Sequence, residues 1–242
     1  RVCYATVPLG AYCEIRDFPS SKVIKIPNDI STDTAASVLL QGMTVEYLFE
    51  RLYKIKKDEF LLFHAAAGGV GLIASQWAAS VGAKMIGTVS SENKEELAKK
   101  NGCAFTINYK KENVIEKIKE ITSGKGVAVA YDGVGKDTFN MTLECLDFRG
   151  LFVSFGQSSG MLASVDLHKT FNPKSLYYTR PTLMHYTSTK KELQESSGLL
   201  FKKIQNNEIK ENIFQTINLK DAAKAHELIE SRQSTGSIIL KP

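Results

Sequence analysis

Several things are scarce in this 242-residue chain, and each scarcity excludes something. Its four cysteines, Cys3, Cys13, Cys103 and Cys145, form no Cys-x-x-Cys pair and no Cys/His cluster. A disulfide scaffold and a structural zinc site of the usual spacing are thereby excluded, and a reducing, cytoplasmic compartment is expected. There are only 6 prolines and no low-complexity stretch, so the chain is neither collagenous nor a linker. No apolar run approaches the roughly 20 residues that a bilayer-spanning helix needs. Charge of one sign is not gathered in blocks either. Lys and Glu are interleaved, and the formal net charge of +5 permits affinity for anions. A basic stripe with interleaved aromatics, the mark of a nucleic-acid surface, is missing.

What remains is an ordinary globular composition, 43% hydrophobic and 24% charged. Val2-Cys3-Tyr4-Ala5 and then Leu9 to Ile15 read as short strands around a glycine turn, with no partner strand nearby. From Ser31-Thr32-Asp33-Thr34, which offers N-cap oxygens, apolar residues recur at helical spacing through Leu48 and Phe49, with Gly42 as the expected break. Residues 59–65 form a continuous apolar run of strand length, as in strands buried on both faces. A glycine-rich turn and a helix from Leu72 to Val81 follow, stopped by Gly82.

The alternation then repeats. Strands are expected at 84–89, 105–108, 127–132 and 151–155, and helices at 93–101, 113–122 and 138–146. Toward the end come helices at 191–206 and 219–232 and a last strand at 237–240. Serial βα units at this spacing predict an α/β fold with a doubly wound parallel sheet of the Rossmann type.

Ala66-Ala67-Gly68-Gly69-Val70-Gly71 lies between the first strand of that series and its helix. It matches the dinucleotide fingerprint G-x-G-x-x-G with Ala66 in the first glycine position. Small residues there let backbone N–H groups and the positive helix end approach a pyrophosphate. The alternative is a tight turn without a ligand; the strand–turn–helix context argues against it. In such a fold the crevice lies at the carboxyl ends of the strands. Those ends carry Ser90, Ser91 and Lys94, then Asn108 and Tyr109, then Gly133-Val134-Gly135, then Phe155-Gly156-Gln157-Ser158-Ser159-Gly160. His64 also ends a strand, and an imidazole there is expected to make a structural hydrogen bond beneath the loop rather than to act as a base.

The segments His64 to Gly71, Ile107-Asn108-Tyr109, Tyr131-Asp132-Gly133-Val134-Gly135 and Phe155 to Gly160 together resemble the NADPH:quinone oxidoreductases. These form the zeta-crystallin-like branch of the medium-chain dehydrogenase/reductase superfamily. Ser175-Leu176-Tyr177, Thr179-Arg180-Pro181 and Glu230-Ser231-Arg232 extend the resemblance to essentially the whole chain. It implies three segments: residues 1–41 as the tail of a β-rich GroES-like catalytic domain, 42–180 as the NADPH-binding domain, and 181–242 as a return to the catalytic domain. The upstream part of the family pattern is expected to be missing, and with it part of the substrate cleft.

Residue by residue, the resemblance implies that Tyr47, the one candidate catalytic residue, packs near the nicotinamide, with Thr44 one helical turn before it. Gly68, Gly69 and Val70 would face the pyrophosphate, and Lys94 and Tyr109 the adenosine phosphate end. Val134 and the turn of Phe155, Gly156, Gln157 and Ser158 would border the nicotinamide ribose, and Arg232 would reach the cofactor from the returning segment. A core-edge tyrosine and a surface ion pair are the alternatives for Tyr47 and Arg232. Val89-Ser90-Ser91 has no carboxylate to repel a 2′-phosphate, and Ser90 with Lys94 is expected to select NADPH over NADH. The activity implied is hydride transfer from NADPH to a quinone without metal. An alkenal or enoyl reductase of the same superfamily and an NADPH-occupied sensor or RNA-binding protein are the alternatives. Homodimerisation is implied through a sheet edge supplied by Leu167 to Tyr178.

Overall fold

In the computed structural model, residues 1–5, 7–162, 164–231 and 234–242 are described. The strands are β1 (Val2–Cys3), β2 (Ile24–Lys25), β3 (Phe60–Phe63), β4 (Lys84–Val89), β5 (Phe105–Asn108), β6 (Val127–Asp132), β7 (Leu146–Ser154), β8 (Tyr177–Thr179), β9 (Ile213–Asn218) and β10 (Ser237–Lys241). The α-helices are α1 (Thr32–Glu46), α2 (Gly69–Val81), α3 (Glu92–Lys100), α4 (Val114–Ile121), α5 (Phe139–Cys145), α6 (Leu167–Phe171), α7 (Leu183–Tyr186), α8 (Lys190–Gln205) and α9 (Ala222–Glu230). The chain folds into two compact units. One comprises Arg1–Leu52, Gly68–Ile73 and Leu183–Pro242, the other Tyr53–Ala67 and Ala74–Thr182.

The second unit is built on a six-stranded, all-parallel sheet in the order β5-β4-β3-β6-β7-β8. Counted from β3, that order is 3-2-1-4-5-6, the dinucleotide-binding arrangement. Its central strands are buried on both faces, as the apolar runs required: Leu61, Leu62, Met85, Ile86, Val129 and Ala130 are fully enclosed. The winding direction reverses between β3 and β6, which places the ligand crevice of such a sheet at their carboxyl ends. β7 begins at Leu146, earlier than the expected 151, after an irregular register between Val127 and Val129 of its neighbour. Edge strand β8 falls at the end of the stretch from Leu167 to Tyr178 that the resemblance implies as a sheet edge; its three residues, with mostly exposed side chains, carry no period of their own.

In the first unit α1 is capped by Ser31, whose hydroxyl accepts from the Thr34 N–H. Gly42 does not break this helix. A Cβ at Gly42 would meet Leu200 Cδ1 at 2.5 Å, so the missing side chain admits α8 rather than ending α1. The turn after it, Tyr47–Leu52, widens to π-helix. The first stretch of this unit runs to Leu52. The expected strand over Leu9 to Ile15 is irregular chain, and β1 does find a nearby partner, pairing antiparallel with β2. β9, parallel to β10, has one buried residue, Ile217, and therefore no apolar signature in the sequence.

Candidate dinucleotide site

The carboxyl ends of β3, β4, β5, β6 and β7 lie along one edge of the parallel sheet, and the site on this unit is built there from the inside outward. Beneath the loops His64 is buried, its ring nitrogens 3.0 Å from Thr88 Oγ1 and 2.8 Å from Thr142 Oγ1. Burial pushes its pKa below the ordinary value of 6.5, and nearby Asp132 opposes that shift only in part. A neutral imidazole hydrogen-bonded on both sides is a structural tie, as expected from its position. The Ala65 N–H also donates to Thr88, and Ala66 packs so closely on β4 that a Cβ at Gly87 would come within 2.4 Å of the Ala66 methyl. Alanine in the first fingerprint position is thus as large as this crossing tolerates.

Asp132, the last residue of β6, is wholly buried and organises the next loop. Its Oδ1 accepts from the Val134 and Gly135 N–H groups at 2.7 and 3.0 Å, and its Oδ2 from the Thr138 hydroxyl at 2.7 Å. The Phe155 N–H donates to the Asp132 carbonyl, and the Ser158 and Ser159 N–H groups to the carbonyls of Gly133 and Val134. Ser159 locks this pairing of loops, donating its hydroxyl to the Val134 carbonyl and accepting from the Asp137 N–H. The approach requires glycine: a Cβ at Gly156 would lie 2.6 Å from the Gly133 carbonyl oxygen. Val134, Phe155 and Gly156 are half-buried along this seam, while Gln157 and Ser158 are exposed.

At the end of β4, Ser91 caps α3 by accepting from the Lys94 N–H, and Ser90 is half-buried beside it. Glu92 is drawn off by Lys111 and Glu95 by Lys99, so among the described residues no carboxylate pairs with the Lys94 ammonium. The positive end of α3 therefore carries an unneutralised cation, a natural anion site. Tyr109, after β5, is largely exposed.

On the first unit, α2 begins at Gly69, three residues earlier than expected, so Gly68 and Gly69 form the helix entrance itself. Gly68 is exposed and Val70 half-buried. The Gln41 amide reaches Gly69, since a Cβ there would meet Gln41 Nε2 at 2.5 Å; Ser237 holds this amide by donating to Gln41 Oε1. Thr44 donates its hydroxyl back to the Leu40 carbonyl at 2.8 Å. Tyr47 is buried, with the Tyr186 ring stacked on it. Arg232 lies outside the described residues.

Sequence reasoning placed Asp132 and Ser159 only within longer strand-end motifs and gave no place to Gln41 or Tyr186. For Asp132 a signal existed: an Asp at a strand end before Gly-x-Gly is the pattern of a carboxylate that accepts from the next turn's N–H groups. Gln41 and Tyr186 act across long sequence separations and left none.

Glycine-lined loops at the switch point of the parallel sheet suit a dinucleotide. Among the described residues no three His, Cys, Asp or Glu side chains gather as a ligand set. Burial pushes the thiols of Cys103 and Cys145 up to about 11 and about 12.

A protein-family model described as zinc-binding dehydrogenase matches residues 69–202. The chain is similar to Quinone oxidoreductase 1 of Escherichia coli K12, with 49% identity over all of this chain and 75% of that protein. It is 42% identical to a 2-haloacrylate reductase of a Burkholderia species, covering all of this chain and 74% of that one. The crystal structure of Escherichia coli quinone oxidoreductase complexed with NADPH superposes with a TM-score of 0.97 over the whole chain and 75% of its own length.

Proposed function

We propose a function on this premise: the chain belongs to the quinone oxidoreductase family of the medium-chain dehydrogenase/reductase superfamily. It is an NADPH-dependent reductase whose acceptor is a small quinone. The observation that carries this reading is the anion-ready turn of Ser90, Ser91 and Lys94 in a sheet of dinucleotide-binding order. The solved relative complexed with NADPH supports the same cofactor.

Gly68, Gly69 and Val70 would hold the pyrophosphate with backbone N–H groups, and Ser90 and Lys94 the 2′-phosphate. Tyr109 would lie by the adenosine, and Val134 with Phe155, Gly156, Gln157 and Ser158 by the nicotinamide ribose. Thr44 and Tyr47, the catalytic candidate, would border the nicotinamide, and Arg232 would reach the cofactor from the end of the chain. Bound NADPH supplies a hydride from its reduced ring, and no metal is required by the residues assigned here. The protein's own contribution is orientation and exclusion of water from the reacting faces. Asp132 and Ser159 serve this by holding the two glycine loops in one shape.

A second reading, reduction of an activated carbon–carbon double bond, is favoured by the likeness to a 2-haloacrylate reductase. RNA binding is less well supported: Lys111 and Lys203 are engaged with Glu92 and Glu208. Four unpaired thiols support a cytoplasmic location, and among the described residues no helix is long and apolar enough to cross a membrane. NADPH oxidation measured against a panel of quinones and 2-haloacrylates tests the assignment. Quinone-dependent turnover that survives a chelator is expected; turnover with haloacrylates alone would transfer the assignment to the second reading.

A further inference from the structure

The π-helical turn Tyr47–Leu52 has an identifiable consequence. In an α-helix of about 3.6 residues per turn, residues five apart point in widely different directions. The wider turn brings Glu46 and Arg51 together, with Arg51 Nε donating to Glu46 Oε1 at 2.8 Å. Glu46 is buried and accepts a second hydrogen bond from the Ser196 hydroxyl at 2.6 Å. The other guanidinium nitrogens donate to the carbonyls of Tyr186, at 2.9 Å, and Glu192, at 3.3 Å. Arg51 thereby pins the end of α7, and the Tyr186 ring lies on Tyr47 with centroids 4.6 Å apart and planes at 18°. Tyr47 is 2% exposed, whereas Tyr186 is half-buried. π-Turns of this kind recur at functional sites, and an ion pair between buried Glu46 and half-buried Arg51 that also grips a backbone carbonyl suits holding an aromatic ring in one orientation better than adding stability.

We propose that Tyr186 is a positioning residue for the nicotinamide end of the cofactor: stacked on Tyr47 and clamped through its carbonyl by Arg51, it sets the plane of the Tyr47 ring. This rests on the reading of Tyr47 as the residue bordering the nicotinamide. The ring of Tyr186 is what matters, so phenylalanine can replace it and an aliphatic side chain cannot. Arg51 acts through the carbonyl, so lysine, which can pair with Glu46 but lacks the planar fork, replaces it only in part.

The test compares NADPH with adenosine 2′,5′-bisphosphate, which carries the 2′-phosphate but no nicotinamide, by fluorescence titration and calorimetry. Tyr186→Leu is expected to weaken NADPH about tenfold and to leave the bisphosphate within about twofold, while Tyr186→Phe keeps both affinities. Arg51→Lys is expected to lie between them, and carries the test if Tyr186→Leu does not fold. Parallel loss of both ligands would mean a purely structural role and overturn the proposal. So would unchanged NADPH affinity in Tyr186→Leu while Tyr47→Leu weakens it. If Tyr47→Leu itself leaves NADPH binding unchanged, the reading of Tyr47 fails, and the proposal with it.

Discussion

Lys94 is the residue on which we propose that cofactor choice turns. Its neighbours Glu92 and Glu95 are occupied by Lys111 and Lys99, which leaves its ammonium available at the start of α3. A charge-assisted contact to a 2′-phosphate is worth on the order of 1.5–3 kcal/mol, reduced where the site stays wet. Lys94→Ala is therefore expected to weaken NADPH by about 1–2 kcal/mol and to leave NADH nearly unchanged, measured by parallel titrations. Equal loss for both cofactors would refute the assignment. His64 offers a second test at this scale. Its folded-state pKa is lowered by burial, so the folded protein refuses a proton that the unfolded imidazole accepts near pH 6.5. The sign follows: this contribution is fully present above that pH and is lost as the pH falls below it, by at most about 1.4 kcal/mol per pH unit. Chemical denaturation between pH 7.5 and 5.5 should show a steeper loss in the native protein than in His64→Gln. An identical slope would mean that His64 is not held neutral.

At the scale of elements, the packing of α1 on α8 is set by a glycine that would ordinarily weaken a helix. Alanine at position 42 gains about 1 kcal/mol of helix propensity. It also drives a methyl into Leu200, which is wholly buried and has little room to yield. Overpacking typically costs about 1–3 kcal/mol, so the net expectation for Gly42→Ala is destabilisation of about 1 kcal/mol. Adding Leu200→Val should recover part of the loss, giving a favourable coupling in a double-mutant cycle. Stabilisation by Gly42→Ala alone would show that α8 moves freely.

At the scale of the whole molecule, the parallel sheet ends in β8, whose Tyr177 is 63% exposed and whose outer backbone groups have no partner strand in the sheet order. Leu167 and Tyr178 add exposed apolar surface on the same unit. An edge of this composition invites pairing unless something covers it. A homodimer joined there is the proposal that follows from the resemblance. Light scattering at micromolar concentration should give twice the chain mass, and Tyr177→Pro, which introduces a residue unsuited to strand pairing, should give the single mass. A native protein that is already monomeric would rule the edge out.

The sequence by itself determined the parallel sheet. Phe60–Phe63, Lys84–Val89 and Val127–Asp132 stand where their apolar runs predict, because a strand buried on both faces must be largely apolar. The fingerprint from Ala66 to Gly71 was legible for a similar reason, since close backbone approach leaves little choice of residue. Tertiary structure alone decided the rest. Gly42 looked like a helix break because its partner, Leu200, is distant in sequence. β8 and β9 carry no period because little of their surface is buried. The service of Asp132, Ser159 and Gln41, and the stacking of Tyr186 on Tyr47, depend on contacts between segments that no local pattern records. Periodicity encodes which face of an element is buried, whereas the identity of the group that meets it is settled only when the chain closes on itself.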